Sequence, residues 1–172
     1  GVPEPEEADP DTSPRDEGSL LHAVLEAVVR HGLERDAWPP AGTPADRGEA
    51  LRIAEEVFAR YDAEGRLGDA GAWRARREAL LRRLARWIDA EARDHGGLRP
   101  VLLECRFGGA SGRPPVVVPA AGGEIRLQGR IDRVDADASR LLVIDYKNSR
   151  AAGEHRERLA PEALGRTSFQ AP

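Results

Sequence analysis

The hydrophobic period changes once along this 172-residue chain, and that change limits its architecture. From about Asp16 to Asp94 apolar residues recur every three or four positions, whereas from Pro100 to about Asn148 they alternate. The first period lays apolar side chains along one stripe of a helix; the second lays them on one face of a strand. Helices followed by strands predict an α+β fold, with N-terminal helices packed on a central mixed β-sheet.

Three helices are expected. The first runs from about Asp16 to Glu34, with Leu20, Leu21, Val24, Leu25, Val28 and Val29 on one face and Asp16 or Ser19 as its cap. After the proline-rich loop "AWPPAGTP" a second spans about Arg47–Asp62. The third, about Ala72–Asp94, turns Trp73, Leu80, Leu81, Leu84, Trp87 and Ile88 inward and ends at Gly96 and Gly97. Strands are expected over 100–107, 114–119, 124–136 and 140–148, the last two joined into a hairpin by the turn cluster "DADAS". Residues 1–14, acidic and proline-rich, read as a disordered lead-in to one domain over 15–172. The polar tail from 149 carries a short helix near Pro161–Gly165.

Several function classes are excluded at this stage. Hydrophobic residues make up 40% and charged residues 33%, a balance that suits a globular domain with a real core. No apolar run is long enough to cross a bilayer, and the acidic N-terminus has no signal-peptide pattern, so a cytoplasmic location is expected. The lone Cys105 precludes an internal disulfide and any cysteine-built zinc or iron–sulfur centre made by this segment alone. The absence of methionine points to a segment of a longer protein. A net charge of −4 disfavours nucleic acid only weakly, because phosphate contacts need a local basic patch.

The chemistry concentrates in "LQGRIDRVDADASRLLVIDYKNSR", where carboxylates and a lysine interrupt the most apolar stretch. Leu141, Val143, Asp145 and Lys147 share one strand face, and a hairpin register can bring Asp132 beside Asp145, near Lys147. Two carboxylates brought together repel, and a divalent cation removes that cost. Oxygen donors from two acids, a backbone carbonyl and water suit Mg²⁺ or Mn²⁺. The alternative is a same-face ion pair of Asp145 and Lys147 on an edge strand, with Asp132 solvated.

These residues resemble the core of the PD-(D/E)XK nuclease superfamily, in its RecB-like branch. That branch comprises the nuclease domains of RecBCD and AddAB helicase–nucleases and related CRISPR-associated exonucleases. Its G-x-I-D-R-x-D strand and D-Y-K strand are both present and in order. "GSLLHAVLEAVV" is similar to its first helical motif, whose histidine, here His22, contributes to the metal site; alone, His22 reads more readily as a polar residue bordering the apolar stripe. Glu104 in "LLECRFG" matches a glutamate of the family's first strand, and Gln170 in "SFQAP" the start of its last motif. "KNS" departs from the family's usual sequence after the lysine.

The resemblance implies a restriction-endonuclease-like core and a Mg²⁺- or Mn²⁺-dependent deoxyribonuclease, an exonuclease of DNA repair or recombination. It implies His22, Asp132, Asp145 and the Tyr146 carbonyl as metal donors, with Asp132, Asp145 and Lys147 catalytic. Glu104, Arg130, Arg133 and Gln170 fall in the active-site neighbourhood or DNA contact. DNA, as single strands or duplex ends, is the implied substrate, a helicase the implied partner, and a membrane is not involved. The rival reading is a non-catalytic DNA-binding module of a repair complex. The third helix adds Arg74, Arg76, Arg77, Arg82, Arg83 and Arg86, which suit either a DNA backbone or a solvated face laced with acids. Trp38, Trp73 and Trp87 offer rings for base stacking, although at helical spacing Trp73 and Trp87 suit a core.

Overall fold

In the computed structural model, which describes residues 14–94, 96–110 and 112–146, three helices precede five strands. Helix α1 spans Pro14–Glu34, α2 Pro44–Ala63 and α3 Ala70–Asp94. The strands are β1 (Arg99–Phe107), β2 (Val116–Ala120), β3 (Gly123–Leu127), β4 (Gly129–Ala136) and β5 (Leu141–Ile144). Two compact units result. One comprises the helices through Pro100 with Ala136–Arg140; the other comprises Val101–Asp135 and the chain from Leu141. The α+β class matches expectation. The residues expected at 147–148, the tail with its short helix, and the lead-in before Pro14 lie outside the described residues.

The helical unit is built as its period dictates. Leu20, Val24, Leu25, Val28 and Val29 of α1 are buried, as are Ile53, Val57, Phe58 and Tyr61 of α2 and Leu80, Leu84 and Ile88 of α3. Helix α2 starts earlier than expected because Thr43 closes a capping box with Asp46 and Pro44 occupies the first turn. Polar ties fix the helices to one another: Tyr61 donates to the Ser19 carbonyl (3.1 Å), Arg47 to Asp89 (2.6 Å) and Arg77 to Glu55 (3.0 Å). Trp38 is buried and tilted against Trp87 at 5.9 Å, and Trp73 meets Phe58 edge-on at 5.1 Å. A Cβ at Gly32 would lie 2.8 Å from the Trp38 ring, so glycine is required for that approach. All three tryptophans therefore serve this unit's packing. Among the described residues no helix is long and apolar enough to cross a membrane.

In the second unit the strands form two antiparallel sheets, not one mixed sheet. One has the order β1-β4-β5; the other is the ribbon β2-β3, paired from Val116↔Leu127 to Ala120↔Gly123. The single strand expected over 124–136 is divided at Gln128. There the backbone passes so close to Gly108 that a Cβ on this glycine would lie 2.5 Å from Gln128 Cβ. Gly108 also has φ +72°, so the crossing depends on glycine. The β4–β5 hairpin forms as the turn cluster predicts, with the Asp137 amide donating to the Arg140 carbonyl at 3.0 Å. The Asp137 carboxylate accepts from the amides of Ser139 (2.7 Å) and Arg140 (2.8 Å). Strand β5 is not the buried strand its composition suggests: Leu141, Leu142 and Val143 are exposed.

Candidate metal and nuclease site

Strand β4 is the middle strand of its sheet, and Asp132, Arg133, Val134 and Asp135 are buried in succession, so both of its faces are covered. Charges in such a strand need partners, since a buried ion without compensation is strongly destabilising. Strand alternation sorts them. Arg130 and Asp132 point to one face, Arg133 and Asp135 to the other.

On the first face, Glu104 of β1 joins the β4 residues. Arg130 contacts the Glu104 carboxylate at 3.0 Å, and carboxylate oxygens of Glu104 and Asp132 lie within 4.8 Å of each other. Asp132, only 6% exposed, accepts a 2.8 Å hydrogen bond from the Tyr146 amide. Glu104 itself adopts φ +47°, a left-handed conformation that costs a residue with a Cβ about 1–2 kcal/mol. Burial along β1 changes phase at the same point. Pro100 is buried and Val101 exposed before it, while Cys105 is buried and Arg106 exposed after it. An extra residue that inverts the alternation is the signature of a β-bulge, which re-aims a side chain. Here it turns Glu104 toward Arg130 and Asp132.

On the second face, Arg133 grips Asp135 with both arms of its guanidinium: Nε donates to Oδ1 at 2.6 Å and Nη2 to Oδ2. Both residues are 1% exposed. Nη1 of Arg133 also reaches the Tyr146 hydroxyl at 3.4 Å. Arg133, expected in the active-site neighbourhood or at a DNA contact, has its charge sealed inside the strand unit against Asp135. Arg130, with a side chain 43% exposed, keeps access to solvent.

Asp145 directly follows β5 and is exposed. The next residue, Tyr146, donates its amide to Asp132 at 2.8 Å, so the chain leaving β5 passes beside that carboxylate. His22 is half-buried on α1, in the helical unit. Lys147 and Gln170 lie outside the described residues. The donors on the first face are carboxylate oxygens in a partly buried, acid-rich setting, which is the donor chemistry of a hard divalent cation.

Sequence reasoning passed over Asp135, the buried partner of Arg133. The signal was available: R-x-D on one strand places both side chains on the same face, within reach of each other. The arginines of α3 divide. Arg77 is bound to Glu55 and Arg82 meets Glu78 at 3.4 Å, so part of this basic face is spent within the fold.

The model of the PD-(D/E)XK nuclease superfamily matches residues 1–170. The chain is 32% identical over 143 residues to an ATP-dependent helicase/deoxyribonuclease subunit from Acetivibrio thermocellus, covering 78% of this chain. It is 36% identical over 148 residues to the protein of the same name from Heliobacterium modesticaldum (79% of this chain). To that of Symbiobacterium thermophilum it is 36% identical over 149 residues (77% of this chain). In each case the match spans 12% of the relative's length. The α+β architecture is consistent with a restriction-endonuclease-like core.

Proposed function

The chain belongs to the PD-(D/E)XK nuclease superfamily, and from that premise we propose that it is a metal-dependent deoxyribonuclease domain, an exonuclease acting in DNA repair or recombination. The relatives are named as helicase/deoxyribonuclease subunits, which supports DNA as substrate, a helicase as partner and a cytoplasmic place of action. The observation that carries the reading is Asp132: a carboxylate only 6% exposed, fixed by the Tyr146 amide, with a second carboxylate within 4.8 Å. Two acids held this close on neighbouring strands are readily explained by a cation that neutralises them.

In this reading His22, Asp132, Asp145 and the carbonyl of Tyr146 hold Mg²⁺ or Mn²⁺, and Glu104 contributes from the bulge. The part of His22 rests on the family motif. The bound ion supplies Lewis-acid stabilisation of phosphate and lowers the pKa of water. The chain's own groups do the remainder. Asp132 is oriented as an acceptor by the Tyr146 N–H. Lys147 orients the attacking water and offsets charge on the phosphate in the transition state. Arg130 and Gln170 steady the DNA beside the scissile bond, and Arg130 is positioned to do so by its ion pair with Glu104.

The test is incubation of end-labelled single- and double-stranded DNA with the chain in Mn²⁺, Mg²⁺ or EDTA, alongside Asp145→Ala and a calorimetric Mn²⁺ titration. Metal-dependent cleavage that Asp145→Ala abolishes is expected. Intact DNA in every condition, with no Mn²⁺ bound, would sink the reading.

A further inference from the structure

We propose that Arg133 and Asp135 are positioning residues for this site: through Tyr146, their buried ion pair holds the Asp132 carboxylate in place from the opposite face of β4. The inference rests on the nuclease reading and adds to it a support that the donor set does not include.

The argument starts from a cost. A guanidinium and a carboxylate that are each 1% exposed have lost nearly all their hydration. Such a pair contributes little net stability compared with two apolar side chains of similar volume. Its geometry, however, is highly specified. The two-pronged bond from Arg133 to Asp135 fixes the guanidinium plane. The remaining Nη1 then points at the Tyr146 hydroxyl, 3.4 Å away. Tyr146 thus bonds to both faces of one strand. Its hydroxyl meets Arg133 on the second face, while its main-chain amide donates to Asp132 on the first at 2.8 Å. Fixing the ring of Tyr146 fixes its backbone, and with it the direction of the Asp132 oxygen. The same backbone carries the carbonyl assigned to the metal and leads directly to Lys147. Stability alone does not explain this arrangement, but the need for carboxylate orientation does.

The test uses two variants of the whole chain. Arg133→Met combined with Asp135→Leu removes both charges at similar volume and is expected to stay folded. Tyr146→Phe removes only the hydroxyl link. Amide hydrogen exchange is read at Tyr146 in the metal-free protein, together with Mn²⁺ affinity and, on DNA, kcat and KM separately. For the double variant we expect exchange at Tyr146 to quicken about 10-fold or more while the melting temperature holds. Mn²⁺ affinity should weaken by about 10–100-fold, as for other supports of metal ligands. The loss should appear in kcat, with KM within about twofold of wild type. Tyr146→Phe should move the same readouts less far, and it carries the test if the double variant does not fold. Variants that match the wild type in Tyr146 exchange and Mn²⁺ affinity overturn the inference while leaving the nuclease reading intact. A raised KM with unchanged metal affinity also overturns it, since Arg133 would then be contacting DNA. A wild-type chain that neither binds Mn²⁺ nor cleaves DNA overturns the nuclease reading first, and this one with it.

Discussion

Glu104 shows at the residue scale how a backbone oddity and a side-chain position explain one another. Its φ of +47° would suit glycine, yet a glutamate is held there beside Arg130 and Asp132. Local conformation is unfavourable at this point, and strain of this kind persists where the surroundings over-determine it. A comparison of two truncations isolates the strain, because both lack the carboxylate. In an ordinary strand Ala is the more stable; at position 104 the order should invert, with Glu104→Gly about 1 kcal/mol more stable than Glu104→Ala in urea unfolding. Both should bind Mn²⁺ more weakly than wild type. Very little of this was legible in the sequence, since a left-handed turn inside "VLLECRF" leaves no compositional mark. Asp132 and Asp145 stand out in the sequence because acids inside an apolar alternation are conspicuous.

Elements were read more successfully than their limits. The helices follow from period alone, whereas the start of α2 depended on Thr43 and Asp46 recognising each other across three residues. The strand over 124–136 hid its break at Gln128, because the cause sits 20 residues upstream at Gly108. In α2, Phe58 packs its ring on Trp73, and Phe58→Ala should cost about 3–5 kcal/mol by cavity formation, measured by chemical denaturation. The β4–β5 turn offers a pH test. The Ser139 amide, then the Arg140 guanidinium, hold the Asp137 carboxyl well below its ordinary value of 3.8. A depressed folded-state value means the turn's contribution is complete above about pH 4 and is lost as pH falls through the folded value. Asp137→Asn should therefore lower the melting temperature at pH 7, and its gap from wild type should narrow progressively below pH 4.

For the molecule as a whole, mass action links the site to the fold. A cation that binds only the folded chain raises stability by about 2.7 kcal/mol at a hundred times its dissociation constant, and EDTA should reverse the gain. If the chain takes DNA as proposed, its net charge of −4 leaves the contact to local groups such as Arg130, and affinity should fall with rising salt. How the chain divides into units was not legible in its sequence. Its pattern of period suggests helices resting on a sheet, while the turn residues Ala136–Arg140 cluster with the helices and the strands on either side do not. That division has an optical consequence. Trp38, Trp73 and Trp87 are all in the helical unit, so intrinsic fluorescence times the loss of helix packing and is blind to the carboxylates. A Mn²⁺-induced rise in the fluorescence midpoint would then report metal stabilisation of the unit that carries His22. An unmoved midpoint, beside increased exchange protection at Tyr146, would show an ion held by the strand unit without His22.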